Sequence, residues 1–411
     1  MTTPATSTPP PLAVAVAGLV ALAVAMGIGR FAFTPLLPLM LAEQSLDLGG
    51  ASLLASANYF GYLLGALACT FQPWLWRRIG WTGTANGPAL VRGGLVATVL
   101  LTFGMALHLP AAWVVLRFAA GVASAVVFLY VSVWCLEQLA RAQRPAMGAL
   151  IYTGPGAGIV ASGLAASALV TLHAPASAGW LTFGVLAAAL TAWIWPTLRP
   201  VAATSAAGGA AGAPATPDEA RPVLELALLS LAYGLAGLGY IVTATFLPVI
   251  ARAALPGSHW LDLFWPLLGC GVIVGALLAS RIRGAGDHRR RLAACYVIQA
   301  LGVAASLVSP TLAGFAVGSV LLGLPFTTIT FFAMQEVRRL KPRQPTPLMG
   351  LLTAMYGVGQ IAGPPLAAWL VARSGSAARG FDVALWVATG ALVLGALLYS
   401  ALARLYPARA G

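Results

Sequence analysis

Two arginines interrupt otherwise apolar stretches of this sequence. Arg30 lies ten residues before Met40 in the run GIGRFAFTPLLPLM, and Arg117 lies six residues after Ala111 and opens the run RFAAGVASA. If both stretches are helical, the two residues stand about 15 and about 9 Å from the nearer helix ends, at 1.5 Å per residue. A guanidinium keeps its proton and presents its donors in a planar fork. Among apolar side chains it needs an acceptor, and a carboxylate or phosphate meets that need with two parallel bonds. Neither arginine has an acid deep in its own stretch: Glu43 and Asp47 follow the first, Glu137 ends the second, and Glu225 and Glu336 stand near the ends of others. The chemistry on offer is anion binding. Bracing of backbone carbonyls is the structural alternative for both, and snorkelling to the surface is a further one for Arg117.

Uncharged groups can complete such a site. Thr34 follows Arg30 by four residues and so shares its helical face. Asn58, Tyr240, Tyr356 and Gln360 are candidates for the same site, with Tyr130, Tyr152, Gln299 and Gln335 behind them. Packing is the competing role for each. Catalytic sets are harder to assemble. His108, His173, His259 and His288 all fall near the ends of apolar stretches or between them, and Cys69, Cys135, Cys270 and Cys295 show no metal-ligand spacing. No GxxxxGK phosphate loop is present. The expectation is a non-enzyme with no cofactor and no bound metal.

The elements that must position these residues follow from composition. Of 411 residues, 60% are hydrophobic and only 8% are charged, against about 25% charged in a soluble domain. So few charges cannot cover a water-facing surface, so most of the surface must face lipid. Apolar runs of about 20 residues suit transmembrane helices and not the shorter alternating strands of a barrel. Twelve spans are expected, near 12–41, 49–73, 89–108, 111–137, 146–172, 178–197, 223–251, 261–281, 291–309, 311–336, 346–371 and 383–404. The segment 198–222 is rich in Ala, Gly, Pro and Thr and reads as a flexible linker between the halves 1–197 and 223–411. With the N-terminus in the cytoplasm, Arg252, Arg373 and Arg379 fall outside and Arg30 and Arg117 within spans. Every other one of the 23 basic residues falls inside. That asymmetry places both termini in the cytoplasm and accounts for the net charge of +13 without nucleic acid.

The halves repeat. GIGRFAFTPLLP at 27–38 matches GLGYIVTATFLP at 237–248 at a shift of 210, which pairs Gly27 with Gly237, Gly29 with Gly239 and Pro38 with Pro248. The same shift carries Gly61, Gly65, Ala66 and Leu67 onto Gly271, Gly275, Ala276 and Leu277, and it sets Tyr240 opposite Arg30. Glu137 and Glu336 correspond at a shift of 199, each ending a span before basic residues.

Arg117, Gly121 and Ala125 at four-residue intervals in the fourth span, with TGPGAG at 153–158 in the fifth, resemble two signatures of the major facilitator superfamily. GIGRFAFTPLLPLM and SANYFGYLLGAL resemble its YbfB/YjiJ branch. The resemblance covers essentially the whole chain. It implies an all-α membrane protein of twelve transmembrane helices in two parallel six-helix repeats, which transports small molecules by alternating access. One departure is the loop after the second span, where Arg77 and Arg78 follow with no preceding Asp.

Further expectations follow from that architecture. Gly61/Gly65, Gly154/Gly158, Gly271/Gly275 and Gly359/Gly363 lie on the second, fifth, eighth and eleventh spans and are expected to form a sliding interface between the halves. Glu137 and Glu336 are expected to be matching cytoplasmic gates, with Arg77 and Arg78 reaching Glu137. The expected activity is secondary active transport of a small molecule, in particular a small organic anion held by Arg30. The alternatives are drug or metabolite efflux by proton antiport and a membrane sensor of a substrate. The expected partners are the lipid bilayer, the substrate and coupled protons, in a monomer of the bacterial inner membrane.

Overall fold

The computed structural model describes residues 9–80, 86–199, 222–258, 260–282, 287–342 and 345–407. Most of the proposed linker 198–222 therefore lies outside the described residues. Among those residues the chain forms twelve membrane-length helices: α1 Pro11–Ala42, α2 Leu48–Arg78, α3 Gly87–Gly104, α4 Pro110–Arg141, α5 Pro145–Thr171, α6 Ala176–Ile194, α7 Val223–Ala254, α8 Leu261–Arg281, α9 His288–Val308, α10 Leu312–Leu340, α11 Thr346–Arg373 and α12 Ala377–Leu405. Eleven are long and apolar enough to cross a membrane on composition alone. The remaining one, α11, has 28 residues, but Tyr356, Gln360, Pro364 and Pro365 break its apolar run; it packs on α7 of its own half and on α2 of the other. Residues such as Leu100, Val115, Trp193 and Leu397 point outward and are exposed, as a lipid-facing surface requires.

Several boundaries have local causes. Pro110 and Pro145 open α4 and α5, where a missing N–H costs nothing. The side chains of Asn86, Asp287, Thr311 and Ser376 cap α3, α9, α10 and α12. At the end of the bundle opposite the termini, Glu43 Oε1 accepts the Ala176 N–H at the start of α6, and Arg252 pairs with Asp262 at 2.5 Å across the α7–α8 connection.

Within the first half, α4 packs on α1, α2 and α3, α5 on α1, and α6 on α3. The second half repeats this, with α10 on α8 and α9, α11 on α7, and α12 on α9. The halves meet where α2 lies on α11, α5 on α8, and α1 on α7. Exchanging the halves turns the first of these contacts into the second, the relation expected of a pseudo-two-fold axis along the membrane normal.

The glycine pairs lie at crossings inside each half, which corrects the expectation of a sliding interface. A Cβ on Gly61 would fall on the Phe118 carbonyl, and one on Gly65 would meet Val122 and Ala125 at 3.0 Å, so this pair seats α2 on α4. Gly271 and Gly275 do the same for α8 against Val320 and Leu324 of α10. Gly154 and Gly158 abut Leu19, Ala23 and Gly27 of α1, while Gly359 and Gly363 abut Gly234, Leu238 and Ile241 of α7. The halves approach each other through other glycines of the same helices. A Cβ on Gly156 would stand 2.7 Å from the Gly269 carbonyl oxygen, one on Gly163 2.6 Å from Pro266, and one on Gly357 3.0 Å from Leu63. Two residues turn a helix by about 200°, so Gly156 points away from the face that Gly154 and Gly158 share.

Candidate functional site

Arg30 sits where α1 loses its regular winding. Residues Ala23–Ile28 form a π-helical segment, and regular helix resumes only at Phe33. Gly29 and Phe31 donate to the carbonyls five residues back, and Thr34 N–H bonds to Phe31 instead of to Arg30. The carbonyls of Gly29 and Arg30 are thereby left to other donors. Arg117 of α4 supplies them, donating from its two terminal nitrogens to Gly29 O at 3.1 Å and Arg30 O at 2.8 Å. Ser124, seven residues on, donates to Ala25 O at 2.6 Å. Arg117 is buried, and its own carbonyl accepts from Asn58 Nδ2 at 2.9 Å. These two candidates thus shape α1, Arg117 in the bracing role that sequence left open for it. An irregular backbone at membrane depth needs such partners, since lipid offers none.

With its backbone held by Arg117, Arg30 directs its guanidinium between the halves. One terminal nitrogen donates to Gln360 Oε1 of α11 at 2.9 Å, and Gln360 Nε2 in turn bonds the Tyr240 hydroxyl of α7. The guanidinium lies 4.0 Å from the Tyr62 ring centroid and 5.2 and 5.3 Å from those of Tyr59 and Phe31. Opposite stand three rings in succession: Tyr240 stacks on Tyr356 at 5.8 Å, and Tyr356 on Tyr233 at 4.9 Å. Phe326 closes edge-on against both Tyr240 and Phe31. Arg30 is 3% exposed, its Nε has no partner, and among the described residues no carboxylate lies within ion-pair distance of it. The structure therefore brings Arg30, Tyr240, Tyr356 and Gln360 together. It adds Tyr59, Tyr62, Tyr233 and Phe326, which sequence reasoning missed. Tyr59 and Tyr62 had a signal, because they follow Ser56 at three-residue intervals and so mark one polar-aromatic stripe on α2.

Thr34 turns to the opposite half and donates to Ala244 O at 2.9 Å. That carbonyl lacks its usual helical donor because Pro248, four residues on, has no N–H. Ser56 repeats the arrangement, donating at 2.9 Å to Ile361 O, whose fourth neighbour is Pro365. Tyr59 Oη and Thr245 Oγ1 lie 2.9 Å apart nearby. These bonds cross between the halves from mid-bundle toward the end opposite the termini. Tyr62 and Tyr356, on the side of the termini, remain partly exposed.

At the end carrying the termini, the two acids proposed as matching gates differ. Glu336 is fully buried. Arg289 Nε donates to it at 2.5 Å, and Arg339 adds bonds of 2.8 and 2.6 Å. Arg289 also pairs with buried Glu225 and donates to the carbonyls of Leu402 at 2.9 Å and Tyr406 at 2.8 Å. The result ties α7, α9, α10 and α12 together within one half. Glu137 is 58% exposed and makes only a 4.0 Å pair with Arg141. The mismatch is one of register. Gly121 packs on Asn58 and Tyr62 as Gly323 packs on Leu268 and Val272, which sets α4 against α10 at a shift of 202. Glu336 then corresponds to buried Trp134, and Glu137 to Arg339. The Arg77 side chain, expected to reach Glu137, lies outside the described residues; Arg78 rests on the Trp74 ring at 5.4 Å.

Residues 22–400 match the family described as the uncharacterised MFS-type transporter YbfB. The chain belongs to this family. Its fold agrees. A mutant form of the nucleoside transporter NupG superposes with a TM-score of 0.71 at 13% identity, covering 95% of this chain and 99% of that one. NupG itself gives 0.68 at 15% identity, with 95% and 98% covered. A bacterial homologue of the human lysosomal transporter Spinster, in an inward-facing and unoccupied conformation, gives 0.68 at 14% identity, with 97% and 98% covered. No curated protein sequence matches the chain. Family and fold are those of multi-pass membrane transporters of the major facilitator superfamily.

Proposed function

We propose that this protein is a secondary active transporter of a small organic monoanion, which binds at Arg30 between the two halves. The observation that carries this reading is the state of Arg30. It is a buried guanidinium with a neutral amide and aromatic faces for company, and with one N–H unpartnered. A buried cation without a counter-charge costs several kcal/mol. A carboxylate offsets that cost through the fork of Nε and a terminal nitrogen. Tyr240 takes the place of a second cation in the repeat, which favours a singly charged ligand.

Binding at this position would couple to movement. Arg30 belongs to the first half, and Gln360 and Tyr240 to the second. An anion on Arg30 competes with Gln360 Oε1 and so replaces a bond between the halves with one to the ligand. The Thr34 and Ser56 bonds close the end opposite the termini, while Tyr62 and Tyr356 are reached from the side of the termini. With the termini in the cytoplasm of a bacterial cell, this is a state closed to the outside, and the rocking of one half on the other supplies alternating access. The test is uptake into proteoliposomes of a panel of small monocarboxylates, each beside its neutral amide. Accumulation of a carboxylate but not of its amide is expected. Equal accumulation of both would remove the anion from the reading.

A further inference from the structure

A groove of about 430 Å³ runs between α3 and α6 on the outer surface of the first half, away from the path between the halves. That volume is within the range of small-molecule sites, about 300–1,000 Å³. Val96, Leu100, Ala188, Thr191 and Trp195 line it. At its end nearest the termini stands Arg92, five residues into α3. Arg92 donates to Trp195 O at 2.9 Å, and its guanidinium lies 4.6 Å from the centroid of the Trp195 ring. Two polar atoms here have no partner: Arg92 Nε, and the hydroxyl of Thr191, a residue only 6% exposed.

The vertical order of these groups matches one class of ligand. Arg92, Val96 and Leu100 succeed one another at four-residue intervals, each about 6 Å deeper along α3. Thr191 lies one turn deeper than Trp195 on α6, and Ala188 deeper still. From the surface inward the groove therefore offers a cation on an interfacial Trp, then a hydroxyl donor, then apolar walls open to lipid. A glycerophospholipid presents a phosphate, then ester carbonyls, then acyl chains. We infer that the groove is a binding site for an anionic glycerophospholipid in the leaflet on the side of the termini. Its phosphate lies on Arg92, an ester carbonyl on Thr191 Oγ1, and one acyl chain along Val96, Leu100 and Ala188. The Trp195 carbonyl holds Arg92 in place without neutralising it, so a lipid with net negative charge is preferred to a zwitterionic one.

The test uses the full-length protein, stripped of lipid in neutral detergent and then given phosphatidylglycerol or phosphatidylcholine. Lipid retention is read by native mass spectrometry and the unfolding midpoint by thermal scan. Wild type should retain phosphatidylglycerol in preference and melt higher with it. Arg92→Gln should lower that retention about fivefold, the worth of one basic residue against an anionic headgroup, and lower that of phosphatidylcholine by less, because the choline already offsets its phosphate. Ala188→Trp, which fills the groove, should reduce retention of both lipids. Thr191→Val, close in shape to the native residue, keeps the question open to refutation if the bulkier variant fails to fold; it should weaken retention of both lipids. Retention of phosphatidylglycerol by Arg92→Gln and Thr191→Val at the wild-type level, or no preference between the lipids in wild type, would overturn the assignment.

Discussion

In the first half, Gly61 and Gly65 seat α2 against Phe118 and Val122, and Gly121 returns the contact on Asn58 and Tyr62. In the second half, Gly271 and Gly275 seat α8 against Val320 and Leu324, and Gly323 returns it on Leu268 and Val272. Backbone approach is reproduced residue for residue, whereas charge is not. Where the first half holds Arg30, the second holds Tyr240. Where the second half buries Glu336 against Arg289 and Arg339, the first buries Trp134. The repeat thus preserves what both halves need in order to pack. Each half places its buried ionisable groups separately, the first at the centre of the bundle and the second at the end carrying the termini.

The largest expected effect that could break this comparison is at Arg289. Its removal leaves Glu225 without a counter-charge and weakens the hold on Glu336, a loss of about 3–5 kcal/mol for a buried pair. Arg289→Ala should therefore lose most of its folded yield in detergent. Glu137→Ala, at the exposed acid of the first half, should change the unfolding midpoint by no more than about 0.5 kcal/mol would. Comparable losses in the two variants would mean that the halves share an ionic network after all.

Next in size are the glycines. Gly61→Leu and Gly275→Leu intrude on crossings inside each half and should destabilise by about 1–3 kcal/mol, as overpacking does. Gly156→Leu intrudes between the halves, on the Gly269 carbonyl. It should slow turnover more than it lowers the unfolding midpoint. The comparison is lost if Gly61→Leu turns over slowly at normal stability.

The smallest effects belong to the bonds onto proline-freed carbonyls. Thr34→Val leaves Ala244 O without its donor, and Ser56→Ala does the same to Ile361 O. Each bond in a membrane protein is worth about 0.6 kcal/mol, so each variant should shift the balance about threefold toward the state open at the end opposite the termini. Labelling of cysteines introduced near that end reads the shift. Unchanged labelling in the double variant would leave these bonds without a gating role.

Much of this was legible in the residues. Spans are set by apolar length, so the expected boundaries fall within a few residues of those observed, apart from α2, which runs on to Arg78, and α12, which starts at Ala377. The repeat was legible in its glycines and prolines. The direction in which a glycine faces was not, since Gly154 and Gly156 differ only by the turn of the helix between them. Nor could spacing reveal that Gln360 meets Arg30 from 330 residues away, or that Thr34 and Ser56 serve carbonyls freed by Pro248 and Pro365. Such partnerships exist only once the halves are docked. Pairing Glu137 with Glu336 matched like charges at helix ends, but the packing registers α4 and α10 three residues differently.

The central claim is that the Arg30 guanidinium, directed between the halves, holds the transported anion. Its most direct test is uptake of that anion by wild type, Arg30→Lys and Arg30→Gln reconstituted at equal protein density. Lysine keeps the charge and loses the fork, so reduced but measurable uptake is expected. Glutamine removes the charge and should abolish uptake while the protein remains folded. Wild-type uptake by Arg30→Gln would contradict the claim and leave Arg30 as a structural tie to Gln360.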